Sequence, residues 1–320
     1  MTVLFVHGIG AGKETFEEVV PLVPGSKALD MPGWGEEPWG GPASFPALAD
    51  WLAGKIDETG GPAVIFGHSF GGMLALETAL THPGKVRAFV ACATSPAFGG
   101  RDPSFAEQFL AARLKTLDEG VSMAELARRS SQQMAGAGVS PERMERFAAS
   151  MGRLDEKVYR DVVRCLTTFN RRDDLEKVSQ PVLCLAADAD ETAPAKTMEK
   201  MAAKLPKGEF QVLPGGHLLP VQSPEATAEA GTSPTQPSAT TVSDPTDTPR
   251  PTLTQTPTRT PSPAATPAPT RRPTSTTSPT AKPAPTNAPP PSSTPTPSTT
   301  PAPTPSPTAT RSANGASGSG

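Results

Sequence analysis

Cysteine and aromatic residues are both scarce in this chain. It has three cysteines, Cys92, Cys165 and Cys184, an odd number with no C-x-x-C spacing, which excludes a disulfide framework and a zinc ribbon. They read as small buried residues in a reducing compartment. One tyrosine and three tryptophans occur in 320 residues, and no aromatic residue follows Phe210. No apolar run approaches the length of a membrane span. The segment Thr2-Val3-Leu4-Phe5-Val6 is too short for the core of a signal peptide and runs straight into His7-Gly8, so a cytoplasmic protein is predicted.

From about Gly231 onward the chain is Pro, Thr, Ser and Ala. With nothing to bury, residues 231–320 are predicted to be a disordered tail whose partner, if it has one, is unknown. The tail holds six basic and two acidic residues, a charge of +4, so the net −3 of the whole chain leaves −7 on residues 1–230. That acidity gives no support to nucleic-acid binding. The first 230 residues suffice for one α/β domain with an insertion.

The most informative stretch is Ala63-Val64-Ile65-Phe66-Gly67-His68-Ser69-Phe70-Gly71-Gly72-Met73-Leu74-Ala75. A bare G-x-S-x-G turns up by chance in about one chain in ten of this length. Here it lies between a buried-strand run and a helical pattern, Met73, Leu74, Leu76, Ala79, Leu80, which is the setting of a nucleophile elbow. A serine hydroxyl needs such a turn, where a base can reach its proton and backbone N–H groups can receive the developing charge. Gly67 and Gly71 let strand and helix approach around Ser69.

Along the rest of the chain, Val3 to Val6 reads as a central strand followed by His7-Gly8-Ile9-Gly10. That turn is either an ordinary connection or, with Ile9 and Phe70 as backbone donors, an oxyanion hole. Lys13 to Val23 is predicted as a helix, Lys27 to Leu29 as a strand, and Phe45 to Ile56 as a helix ended by Gly60-Gly61-Pro62. The elbow helix ends at His82-Pro83-Gly84, and Val86 to Ala91 is the next strand. Alternation of strand and helix argues for a parallel sheet covered on both faces.

Residues from about 98 to 178 break the alternation with four helical patterns, starting at Asp102-Pro103, Ser122-Met123-Ala124-Glu125, Ser140-Pro141 and Asp155. This helical insertion is predicted to cap the serine. Of Phe105, Phe109, Met134, Met144, Phe147, Met151, Tyr159 and Phe169, most are expected to hold the insertion together and a minority to face a pocket. Pro181 to Ala187 resumes the sheet, Ala195 to Leu205 is a helix, and Glu209 to Leu213 is the last strand.

Four histidines are candidates for the base. His68 adjoins the serine, His82 ends the elbow helix at the far side of the sheet, and His7 belongs to the turn that supplies N–H donors. His217 follows the last strand on the edge where the elbow presents Ser69, and is the predicted base. The acid should follow another strand on that edge. In Ala187-Asp188-Ala189-Asp190-Glu191 the spacing to Pro194 favours Asp190, with Asp188 as the alternative.

At these residues the sequence resembles the α/β-hydrolase superfamily. His7-Gly8 matches its oxyanion motif, Gly67-His68-Ser69-Phe70-Gly71-Gly72 its elbow, Asp190-Glu191-Thr192-Ala193-Pro194 its acid loop and Gly216-His217 its histidine loop. The cap and Leu80-Thr81-His82-Pro83-Gly84-Lys85-Val86 are similar to small capped carboxylesterases and 3-oxoadipate enol-lactonases. The resemblance implies an α/β fold: a mostly parallel sheet of about six strands with helices on both faces, lacking the two leading strands of the family, plus the cap. It implies a Ser69–His217–Asp190 triad acting on a small-molecule ester or lactone, without metal or cofactor and without a membrane or nucleic-acid partner. Thioester or carbon–carbon bond hydrolysis on the same triad, and a non-catalytic binding protein using the tail, are the alternatives. The family's closing helix after Ser223-Pro224-Glu225 is amphipathic, whereas Ala226-Thr227-Ala228-Glu229-Ala230-Gly231 has no large apolar residue, which leaves one sheet face without an evident cover.

Overall fold

The computed structural model describes residues 1–99, 104–135 and 138–232. Its strands are β1 (Val3–Val6), β2 (Ser26–Leu29), β3 (Ala63–His68), β4 (Val86–Cys92), β5 (Val182–Ala187) and β6 (Gly208–Leu213). They pair in the order β2-β1-β3-β4-β5-β6, and every pairing is parallel. Winding runs outward from β1 to β2, then reverses to place β3 on the other side of β1. The crevice at such a reversal, beyond the strands' C-terminal ends, is where parallel α/β sheets bind ligands. Both the His7–Gly10 turn and Ser69 emerge there.

Helix α1 (Phe45–Asp57) starts at Ser44, whose hydroxyl accepts the Ala47 N–H, and buries Leu48, Leu52 and Ile56 as its spacing predicts. Helix α2 (Phe70–Thr81) follows the serine directly and is buried almost all round, wedged between the sheet and α1. The insertion comprises α3 (Ser104–Asp118), α4 (Met123–Met134), α5 (Pro141–Gly152) and α6 (Glu156–Thr167). Ser122, Ser140 and Asp155 cap the last three through their side chains. Ser122-Met123-Ala124-Glu125 has the spacing of a capping box, but only the Ser122 half forms, since the Glu125 carboxylate is taken by Arg128 and Arg129. The start expected at Asp102-Pro103 lies outside the described residues, as does the tail from residue 233.

The expected helix from Lys13 to Val23 does not form. Two 3-10 turns, Lys13–Phe16 and Val20–Leu22, take its place. Pro21 explains this: it has no N–H to give the carbonyl four residues back, and its ring would strike that carbonyl. Helix α7 (Ala195–Ala202) is also shorter than the expected Ala195 to Leu205.

Period-two alternation divides the sheet's side chains between two cores. Leu4, Val6, Ile65 and Phe89 face α1, α2 and α7. Val3, Phe5, Phe66 and Val90 face the 13–22 segment and the chain's last two described helices, α8 (Leu219–Gln222) and α9 (Pro224–Thr232). The second face is therefore covered, by a helix of small residues. Ala228 and Ala230 are buried, and Gly231 lies against the rings of Phe5 and Phe66. Bulk comes from the other side, where Phe5, Phe16 and Phe66 pack with ring centroids 5.0 to 5.9 Å apart.

Candidate active site

Ser69 joins β3 to α2 with φ 53° and ψ −116°, a conformation unfavourable for any residue with a side chain. The surroundings hold it there. Its N–H donates to Cys92 O at 2.8 Å, and its carbonyl accepts from Gly72 N at 2.9 Å and from the Thr94 hydroxyl at 2.7 Å. A Cβ at Gly67 would collide with the Gly71 carbonyl, and one at Gly71 with the Val6 carbonyl. Glycine is thus required at both flanks by close approach of backbone.

Three of the predicted site residues meet in one row of hydrogen bonds. His217 Nε2 lies 3.0 Å from Ser69 Oγ and its Nδ1 2.8 Å from Asp190 Oδ2. The other Asp190 oxygen accepts the N–H groups of Thr192 at 2.7 Å and Ala193 at 2.9 Å. Burial by itself would raise the Asp190 carboxyl. The hydrogen bond and charge of His217, together with these two amides, outweigh it and hold the carboxyl below its usual value. An ionised Asp190 requires the proton on Nδ1, which leaves Nε2 free to accept from the serine hydroxyl.

Asp188 has a different place. Its carboxylate accepts the Gly215 N–H at 2.9 Å, while the Gly215 carbonyl receives the Ala189 N–H at 2.9 Å. These bonds tie the loop after β5 to the loop carrying His217. Gln222 completes the brace by accepting the Gly216 N–H at 2.8 Å.

His7 and His68 are both fully buried, and their rings bond main-chain groups rather than the Ser69 hydroxyl. Met31 N–H donates to His7 Nε2 at 3.0 Å, so His7 Nδ1 carries the proton and donates to Gly8 O at 2.7 Å. Burial pushes its pKa down to about 4. In a trans peptide C=O and N–H point opposite ways, so holding the Gly8 carbonyl also aims the Ile9 N–H. Phe70 N–H, the first of α2, is one of the amides that helix geometry leaves without an intrahelical acceptor. His68 Nε2 donates to the carbonyl of His217 at 2.7 Å, and burial lowers its pKa to about 3. The sequence pattern did not reveal this bond, since 149 residues separate its partners.

The three cysteines are free and buried, and burial pushes the Cys165 and Cys184 thiols up to about 12. Among the described residues, no three His, Cys, Asp or Glu side chains gather as metal ligands do, and no helix is long and apolar enough to cross a membrane.

Ser69 and His217 border two cavities, one of about 120 Å³ reaching under the insertion and a wider one of about 520 Å³. Phe109, Met134, Phe147 and Met151 line the first, and Phe105 with Phe109 the second. Five of the eight large cap residues thus face a cavity, more than the expected minority. They do so because all four cap helices turn toward the serine.

A sequence profile described as "Alpha/beta hydrolase family" matches residues 3–230. A pimeloyl-[acyl-carrier protein] methyl ester esterase of Neisseria meningitidis is 41% identical over 88 residues, a match spanning 27% of this chain and 27% of that protein. Among solved structures, a thermophilic esterase from Thermogutta terrifontis aligns at 25% identity and TM-score 0.64, covering 72% of this chain and 87% of that one. The enol-lactonase from Burkholderia xenovorans shares the fold at 17% identity and TM-score 0.64, covering 72% and 88%.

Proposed function

This chain belongs to the alpha/beta hydrolase family, and from that premise we propose that it is a serine hydrolase cleaving a carboxylic ester or lactone through an acyl-enzyme. The observation that carries the reading is the row Asp190–His217–Ser69, with both imidazole nitrogens engaged at 2.8 and 3.0 Å. His217 Nε2 takes the hydroxyl proton as Ser69 Oγ attacks the carbonyl carbon. The Ile9 and Phe70 N–H groups receive the oxyanion, their aim set before substrate arrives by His7 and by the start of α2. Imidazolium then returns the proton to the leaving oxygen, and water, activated by the same nitrogen, releases the acid. Asp190 keeps the proton on Nδ1 throughout. The Neisseria relative is named for a methyl ester and the Thermogutta protein for esterase activity, which supports ester cleavage at the level of class.

The test is a panel of nitrophenyl esters and lactones run with the native chain and Ser69→Ala, beside labelling by a fluorophosphonate. The substitution is expected to lower turnover by about 10⁶-fold and to abolish labelling. A mutant that keeps more than a tenth of native turnover would overturn the assignment of Ser69.

A further inference from the structure

The cavity beneath the insertion is polar around Ser69, His217, His68 and Thr192, and its cap side is apolar except at one point. Arg113, on α3 one turn beyond Phe109, lines the same cavity as Ser69 and His217. It lies against the Phe109 ring, guanidinium carbon 5.9 Å from the ring centroid. Its hydrogen bond to Ser130 is long, Nη1 donating to Oγ at 3.4 Å, and Nε is buried with no partner. No carboxylate of the described residues lies within ion-pairing distance. Other cap arginines are paired, Arg143 and Arg146 with Glu18, and Arg160 with Asp118 and Glu156. The buried Tyr159 Oη lies near enough to Arg113 for the guanidinium charge and a side-chain hydrogen bond to it to oppose the upward push of burial on the phenol.

A half-buried guanidinium with an unused Nε edge is costly unless an anion meets it. We propose that Arg113 is a specificity-determining residue that pairs with a carboxylate on the acyl part of the substrate, so that the preferred ester is the monoester of a short dicarboxylic acid. This inference rests on the serine-hydrolase reading above. A carboxylate suits the site better than a phosphate, since one guanidinium fork matches a single carboxylate and the cap wall around it is Phe109, Met134, Phe147, Met151, Val163 and Leu166. Size points to a short chain: an apolar cavity of about 150 Å³ takes a benzene ring, and this one is about 120 Å³. The acyl carbonyl would sit at Ser69 with its methylenes along Met134, Phe147 and Met151 and its carboxylate at Arg113.

The experiment compares monomethyl glutarate with its neutral isostere, in which an isopropyl group replaces the carboxylate, using the native full-length chain, Arg113→Gln and Arg113→Lys. The readout is the ratio of kcat/KM for the two esters within each protein, which cancels any general loss of activity. The native ratio is expected to favour the anion by about 10- to 100-fold, the range for a charge-assisted hydrogen bond. Arg113→Gln should bring the ratio to within about threefold of unity, with Arg113→Lys in between. The rate of fluorophosphonate labelling of Ser69 is measured in parallel, and monomethyl glutarate should slow it more than the isostere does in the native chain alone. A native ratio near or below unity, a preference that survives Arg113→Gln, or labelling that neither ester slows would overturn the proposal while leaving the hydrolase reading intact. Loss of both turnover and labelling in the native chain would instead overturn the hydrolase reading, and this proposal with it.

Discussion

His68 Nε2 donates to the main-chain carbonyl of His217, so the residue preceding the candidate nucleophile holds the loop that carries the candidate base. The two rings lie 5.3 Å apart at an interplanar angle of 48°. One elbow thereby fixes two members of the row. His68→Phe should lower kcat by about tenfold with little change in KM, as expected for a buried carbonyl left unpaired. His68→Gln, whose amide can still donate, should restore part of the loss. Equal kcat values in the two variants would show that the bond does not position His217.

Asp190 and Asp188 separate cleanly under the same isosteric change. Asp190→Asn places an amide against Nδ1 and favours the wrong tautomer, so kcat should fall by about 10⁴-fold. Asp188→Asn keeps an oxygen for the Gly215 N–H and should cost less than tenfold, whereas Asp188→Ala frees the loop and should cost more. Nitrophenyl ester kinetics on the three variants check the ranking.

Much of this neighbourhood was legible in the chain, because strand, tight turn and helix around Ser69 are local patterns, and so is a Gly-Gly-His after a last strand. Asp190 could be favoured over Asp188 from spacing, but what Asp188 does depends on a loop 27 residues away. Arg113 gave no signal for a related reason: it is one arginine on a charged cap helix, and only packing of four helices leaves it without an acid. The Lys13 to Val23 segment misled because its apolar residues fall at helical spacing while Pro21 forbids the helix. Helix α9 was obscured because its contribution to packing is small size, which hydrophobic periodicity cannot register.

Glu77, 1% exposed on α2, meets Arg171, 34% exposed in the segment after α6, through two hydrogen bonds of 2.6 Å. The pair fastens the insertion's returning stem to the elbow helix. Arg171→Met should destabilise the protein by about 3 to 5 kcal/mol, since it strands a buried carboxylate. Glu77→Leu combined with Arg171→Met should recover most of that in urea unfolding. If the double variant is no better than the single, repair by apolar packing fails at this site.

Stability should fall on acidification before Asp190 itself titrates. His7 and His68 have folded pKa values of about 4 and about 3, below an unfolded value of 6.5, so unfolding takes up protons in between. Their contribution is complete above the unfolded value and is lost as pH drops toward the folded ones, at about 1.4 kcal/mol per pH unit for each group. Urea melts between about pH 6.5 and pH 4.5 should show this slope, and His68→Gln should reduce it by one proton's worth. An unchanged slope would mean that His68 is already charged in the folded protein.

The pairing of small residues on α9 with phenylalanines on the sheet inverts the usual direction of substitution tolerance. Shrinking a helix residue on this face costs almost nothing, because Ala228, Ala230 and Gly231 have little left to remove; a methyl at Gly231 would meet Phe5 and Phe66 at 3.5 and 3.6 Å, an ordinary contact, while a longer side chain aimed at the rings would lever the helix away. Opposite the helix the reverse holds, and trimming Phe5 or Phe66 on the strands, or Phe16 in the Lys13–Phe16 turn, opens a void. A saturation library across this face would therefore divide by position, with α9 accepting only small residues and Phe5, Phe16 and Phe66 only large ones.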